Sequence, residues 1–393
     1  MSFGVLQRPA RLSRALFIFS ILEYGVQALG AEAVRVPARD EVVETQLLPR
    51  AVKQSVQRLY RSAAAARTPD SLLKPAQRVD TARRLIQSGR ASGDPRTLGY
   101  AEAELNGLSE TGAIGVEALV LRATIEQSRH RFDAARTLLD RALEQLPSHV
   151  QARLTRATIA HVRGNTEAAR TDCDALREAA PTVAVICRAI GDSLSGSNAQ
   201  ALKALAGVTD PALRGWALSL AGEIHEQQGE LDAAVRAYNA SLALGADLYT
   251  TVALADALIA QQRWPQAEAL LQPLPATDAV LLRRWIVARR QQRDVTALQQ
   301  QLADRFAAAQ TRNELLHARE AALFALEQGD SAAALTLARQ NWNDQREPAD
   351  LRLLALAARA TNDSAVLADV RDWLARTGLR DARVERALNP GNR

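Results

Sequence analysis

The residues of this chain whose types could do chemistry are few: five histidines, two cysteines and one serine-bearing run bounded by glycines. His130, His149, His161, His225 and His317 nowhere form the two-histidine, one-face helical spacing of a zinc protease. His317 and Glu320 stand three apart, a spacing at which one helix presents two ligands to a metal. A metal-handling protein or metal-dependent enzyme using that pair is therefore an alternative reading of the chain. No second such pair accompanies it, and Arg319 beside it is a poor neighbour for a cation, so no metal, cofactor or catalytic residue is expected. Gly191-Asp192-Ser193-Leu194-Ser195-Gly196 has the outline of a nucleophile elbow but lacks the strand–turn–helix context that exposes such a serine. It reads as a helix end running into a turn.

The elements that must position these residues are helical. Only 4% of the 393 residues are aromatic and 24% are charged, with Ala and Leu dominant, a composition for helices packed through small side chains. The formal net charge is +5, but much of the excess sits in Arg8, Arg11 and Arg14. Elsewhere basic and acidic residues interleave, as at Arg131 and Asp133. A nucleic-acid binder concentrates basic charge on one face and adds stacking aromatics, and neither is present here, so no nucleic acid is expected.

Those three arginines precede the short apolar run Ala15-Leu16-Phe17-Ile18-Phe19-Ser20-Ile21-Leu22, and small residues follow through Ala33. Basic, apolar and small-residue segments in that order predict a secretory signal peptide over residues 1–33, interrupted by Glu23. The run is too short to span a bilayer, which takes roughly 20 apolar residues, and none is predicted to span it further on. The mature chain is expected to be exported, and periplasmic in a Gram-negative source.

Beyond residue 33 the sequence repeats itself. Ala123 and Ala157, Ala135 and Ala169, and Pro147 and Pro181 are each 34 residues apart. The two alanines of a unit belong where paired helices approach most closely, and Gly164 belongs in the tight turn between them. Proline is expected to end the second helix of each pair. The grammar returns with drift at Gly222, Gly229, Ala234 and Tyr238, and again at Ala322, Gly329, Ala334 and Ala338. Degenerate units fall between them, at Trp264 with Ala267 and at Ala288 with Leu298.

A period of 34 with small, turn, small and proline positions resembles the tetratricopeptide repeat superfamily, over roughly residues 70–378. Segments such as Gly93-Asp94-Pro95 through Tyr100 and Asn341-Trp342-Asn343-Asp344 through Pro348 are similar to exported, uncharacterised bacterial tetratricopeptide repeat proteins. The resemblance implies an all-α solenoid, a right-handed superhelix of eight or nine helix pairs, binding a protein or peptide partner in its concave groove. The expected organisation is a signal peptide over 1–33, an extended lead and preliminary helix over 34–70, the array over 71–378, and a cap and tail over 379–393.

The period also places the two cysteines. Cys173 falls on the second helix of one pair and Cys187 on the first helix of the next, eight and six residues from Pro181. At about 1.5 Å rise per residue their sulfurs stand within about 3 Å of the same height on antiparallel neighbours, so a disulfide is expected in an oxidising compartment. The alternative is two buried small apolar residues.

Projecting the repeat pattern onto the chain puts Val120, Thr124 and Gln127, then Leu154, Thr158 and His161, on the concave face. Ser219, Glu223, Glu226, Asp256, Arg283, Arg290 and Arg319 follow. Acids in the middle followed by arginines suit an extended peptide oriented by charge; the alternative is a solvated helix face. Trp216, Trp285, Trp342 and Trp373 recur at helical positions, where packing between repeats is the first expectation. Trp342 with Arg346 is the expected hot spot of a partner-binding surface. The expected function is an exported, non-enzymatic scaffold, possible roles being envelope assembly or transport, with a self-associating structural module as a further alternative.

Overall fold

The computed structural model describes residues 74–92, 96–311 and 318–389. The signal peptide, the lead, the preliminary helix, Asp94, Pro95 and His317 lie outside them. Nineteen helices and no strand occur among the described residues. In chain order they are α1 (Pro75–Ser92), α2 (Arg96–Leu105), α3 (Gly112–Ser128), α4 (Phe132–Gln145), α5 (Val150–Val162), α6 (Thr166–Ala175), α7 (Pro181–Leu194) and α8 (Asn198–Ala206). Then come α9 (Pro211–Gln227), α10 (Leu231–Leu244), α11 (Leu248–Ala260), α12 (Trp264–Leu271), α13 (Asp278–Arg290), α14 (Thr296–Thr311) and α15 (Ala318–Gln328). The series ends with α16 (Ser331–Asp344), α17 (Pro348–Ala360), α18 (Ser364–Thr377) and α19 (Ala382–Leu388). Nine helix pairs are followed by one closing helix.

The matched alanines behave as their spacing requires. Ala123, Ala135, Ala157 and Ala169 are fully buried, because the two helices of a pair leave no room there for a larger side chain. Gly222 does the same against an aromatic: a Cβ on it would run into the ring of Tyr238. Helix starts are set by side chains that accept the orphan amide hydrogens of the first turn. Asp210, Asp247, Asp330, Asp363 and Asp381 cap α9, α11, α16, α18 and α19 in this way. His149 does it with a ring nitrogen, its Nδ1 accepting from the amide of Ala152 at 3.1 Å. Pro181 does not end a helix; it is the first residue of α7, where its missing donor costs nothing.

Every turn inside a pair from α3 to α18 holds one residue in the left-handed region. Four are glycine (Gly164, Gly196, Gly229 and Gly329), and the others are His130, Gln262, Gln292 and Asn362. They recur at roughly the 34-residue interval. The repeat thus continues through the units whose glycine is gone, each accepting about 1 kcal/mol or more of backbone strain.

The array does not stay open. Its last pairs return to the row of turns that joins the helices of the second to fifth pairs. Arg163 Nη1 donates to Asp344 Oδ1 at 2.7 Å, Gln345 Nε2 meets His130 Nδ1 at 3.1 Å, and the amide of Arg346 donates to the Val162 carbonyl at 2.7 Å. Trp373 lies so close to Gly164 that a Cβ there would sit 2.6 Å from its ring. Gly378 follows α18 and packs on Ser195 and Gly196. Helix α19 packs beside α17 and reaches α9, where Arg383 stands 3.5 Å from Glu226.

Candidate functional site

Closure changes what the first helix of each pair presents. Val120, Thr124, Leu154, Thr158 and Ser219, projected into an open groove, are all buried. The threonines donate to carbonyls one turn back, Thr124 to Val120 and Thr158 to Leu154, and the Ser219 hydroxyl meets that of Thr250 at 2.9 Å. Gln127 is half-buried near the end of α3. His161 is only 3% exposed and points into the interior between α5, α6 and α7 rather than toward a ligand in the groove.

The charged positions come together, but they face one another. Arg283 donates to both oxygens of Asp256, at 3.0 and 2.9 Å, and lies 3.5 Å from Glu320. Arg319 donates to Asp350 at 2.5 and 2.8 Å and to Glu347 at 2.6 Å. Arg290 pairs with Glu327 at 2.8 Å on the rim. Tyr238 donates to Glu226 at 2.7 Å, whose other oxygen faces Arg383. The acids and arginines that were expected to orient a bound peptide instead neutralise each other across the interior of the closed array. Glu320 is buried on Arg283, so the carboxylate of the alternative metal pair is already engaged.

Packing removes water from several of these carboxylates. Burial pushes Glu223 up to about 8, the hydrogen bond from Tyr249 opposing the shift while Glu347 and Glu226 add to it and Arg383 lowers it. Burial also raises Glu226, against Arg383, and Glu347, against Arg319. A carboxyl whose pKa is raised on folding stabilises the fold most below its unfolded value, and that contribution is lost as pH rises through the folded value. The melting temperature should therefore fall by about 2 °C between pH 7 and pH 9, above the range in which His161, lowered to about 4 by its burial, contributes with the opposite sign, and Glu223→Gln should flatten the slope. Glu102 and Glu117, held low chiefly by hydrogen bonds from Arg129 and His149, act below the ordinary carboxylate range and do not enter this window. A melting temperature that is flat or rises over that range would contradict the desolvated interior.

One place near the seam stays open. Trp342, Arg346, Asp369, Asp372, Trp373, Ala375 and Arg376 line a cleft of about 580 Å³. The two indoles meet edge to face with centroids 5.1 Å apart. The guanidinium groups of Arg346 and Arg376 lie over the Trp373 ring at 5.3 and 5.4 Å, an arrangement that fixes both cations electrostatically. Trp342 and Arg346 were legible as a surface in sequence. Asp369, Asp372 and Arg376 were not, and Trp373 was read only as packing, because all four come from α18, two helices on, and join the site only through the packing of that helix.

Of the remaining histidines, His225 bonds Glu230 at 2.7 Å, His149 bonds Glu117 at 3.1 Å, and His130 stacks on Phe132. Gly191–Gly196 is the end of α7 and its turn, with Ser193 donating to the Ile190 carbonyl. Cys173 and Cys187 stand on α6 and α7 with Cα atoms 5.5 Å apart and their sulfurs at bonding distance. No helix among the described residues is long and apolar enough to cross a membrane.

No protein-family model matches the chain, and no curated protein matches it. Among solved structures it is similar to the anaphase-promoting-complex hetero-tetramer Cut9–Hcn1, with 15% identity and a TM-score of 0.49 over 79% of this chain and 62% of that one. It is similar to a tetratricopeptide repeat protein from Parabacteroides merdae, with 14% identity and a TM-score of 0.37 over 72% of this chain and 98% of that one. For yeast Tom70 the values are 14% and 0.33, over 82% and 62%. The chain thus spans less than two thirds of the length of Cut9 and of Tom70. On its own geometry of paired helices, buried alanines and left-handed turns, the chain is an all-α array of tetratricopeptide-like repeats.

Proposed function

We propose that this protein is an exported, non-enzymatic scaffold that holds a protein or peptide partner, and that the partner docks at the Trp342–Trp373 cleft rather than along the concave face. The observation that carries the docking site is the contrast between the two surfaces. The concave charges are consumed by one another, whereas the cleft presents two indoles, two arginines and two exposed aspartates. Aromatic and arginine side chains in one partly enclosed site are the composition of interface hot spots. A matching partner segment offers an apolar or aromatic side chain to the indoles and a basic one to Asp369 and Asp372.

Export is supported by the basic, apolar, small-residue order of the N-terminal segment and by a cysteine pair at bonding distance, which suits an oxidising compartment. On this reading the scaffold serves envelope assembly or transport.

The test is crosslinking and affinity capture of the tagged full chain from intact cells of its source, comparing the natural chain with Asp369→Arg/Asp372→Arg. Both aspartates are exposed, so the fold should survive. The reading expects one envelope protein to be enriched by the natural chain and reduced at least tenfold by the charge reversal. Equal enrichment by both would remove the cleft as the docking site.

A further inference from the structure

Three side chains with no part in the docking site converge between the third and fourth pairs of the array. His161 comes from α5, Cys173 from α6 and Cys187 from α7. All are buried, and one ring nitrogen and the two sulfurs lie within 4.8 Å of one another. The imidazole is the unusual member. Its neighbours belong to an apolar cluster that includes Leu154, Leu176, Ile186 and Ile190, and neither ring nitrogen makes a hydrogen bond of good geometry, the Cys187 backbone being the one polar group that faces it. A buried imidazole so poorly satisfied costs on the order of 1 kcal/mol or more, which a ligand at its free nitrogen would offset. The ring packs on Gly191, where a Cβ would stand 3.1 Å from His161 Cε1.

We propose that in the dithiol form His161, Cys173 and Cys187 make a three-coordinate site for a soft metal ion, Cu(I) in biology, and that the disulfide form closes it. Two electrons and two protons from a dithiol reductant open the Cys173–Cys187 bond to two thiols, the reductant leaving as its own disulfide. Binding the ion then displaces the two thiol protons, since thiolate is the ligating form. Donors about 2.0–2.3 Å from one ion stand about 4 Å apart. The sulfurs must therefore part from bonding distance and the ring nitrogen must close in slightly, adjustments within reach of side-chain rotation on helices whose cysteine Cα atoms are already 5.5 Å apart.

Donor softness selects the ion. Two thiolates and an imidazole suit Cu(I) or zinc, not calcium or magnesium. The nearest acids along the chain do not join them: Asp172 is held by Arg153 and Arg156, and Asp174 by Arg177 and Arg188. Zinc with two thiolates is neutral, which favours it in an apolar site. Zinc sites are nevertheless almost always four-coordinate, and among the described residues the cluster holds no fourth His, Cys, Asp or Glu donor. The missing donor outweighs the charge, and Cu(I) is the better fit.

The test uses the full chain made in a reducing cytosol and purified without oxygen, with two free thiols verified after denaturation. Cu(I) is titrated against a chromogenic Cu(I) chelator, and the metal shell is read by X-ray absorption. The proposal expects one ion per chain with a shell of two sulfurs and one nitrogen. His161→Gln should lower the affinity at least tenfold and remove the nitrogen, Cys173→Ser should abolish binding, and the oxidised chain should bind none. The spectrum of the natural chain decides the question even if a variant fails to fold. Failure of the reduced chain to compete, a shell of sulfur alone, or tighter binding of zinc than of Cu(I) would each overturn it.

Discussion

Replacing Asp350 by alanine is expected to cost about 3–5 kcal/mol, because it takes from a largely buried guanidinium one of its two carboxylates and leaves the Asn341 amide and the Glu347 N–H unpaired. Asp350 is 2% exposed. Its two oxygens accept from Arg319 Nε and Nη2, from Asn341 Nδ2 at 2.6 Å and from the amide of Glu347 at 3.1 Å. The last of these is half of a capping box, in which Glu347 in turn accepts from the amide of Asp350. One carboxylate thus starts α17, neutralises α15 and anchors the end of α16. Asp350→Asn should be milder, since it can still accept from the Glu347 amide and loses mainly the charge. Chemical denaturation followed by circular dichroism measures both. A loss below about 1 kcal/mol for alanine would mean that water reaches Arg319 and that the interior is not closed as described.

Trp285→Ala should be of the same size, about 3–5 kcal/mol, for an apolar reason. Trp285 is among the largest fully buried side chains. Its ring meets Phe324 edge-on at 4.9 Å, Phe324 continues to Phe306 at 5.6 Å, and Arg289 covers the indole at 5.3 Å. These contacts join α13, α14 and α15, and the cluster that includes Leu281, Leu282 and Leu302 closes around them. Each pair is held mainly by its neighbours, so the cavity should loosen the array at the seventh and eighth pairs before the rest melts. Hydrogen exchange would locate the loss there. Trp285→Phe should cost under about 1.5 kcal/mol: it keeps the aromatic contact and removes an indole N–H that has no hydrogen-bond partner. Equal losses for phenylalanine and alanine would show that indole shape, not aromatic burial, holds the junction.

The two predictions also mark how unevenly the site was legible. Trp285 was readable as packing between repeats, because its neighbours lie on adjacent helices at the period of the array. Arg319 and Arg283 were readable as charged positions on the first helices of their pairs, and that is where they stand. Their partners were not readable. Asp350 and Asp256 sit 31 and 27 residues away from them, nearly one repeat; Asp256 was read onto the same face as Arg283, yet nothing in the residue types says that either acid pairs with an arginine of the array rather than with a ligand or solvent. His161 was assigned by repeat position to the concave face, and the same position on a tightly coiled array is interior.

The 34-residue recurrence of Ala123, Ala135 and their counterparts determined the helix pairs, and the offsets around Pro181 placed Cys173 opposite Cys187. Both are short-range matters: a pair and its neighbour fix them, and side-chain size at the closest approach is written in the residue type. Where His130, Gln262, Gln292 or Asn362 replaces the turn glycine, that signal weakens, although the backbone still takes the left-handed conformation. Only the tertiary structure decided that Gln345 meets His130 across 215 residues and Asp344 meets Arg163 across 181. The physical reason is that curvature is the sum of small rotations between successive pairs. No single pair of residues encodes that sum, and it is the sum that brings the last pairs onto the early turns, turns the concave charges on one another and leaves the Trp342–Trp373 cleft open beside the seam.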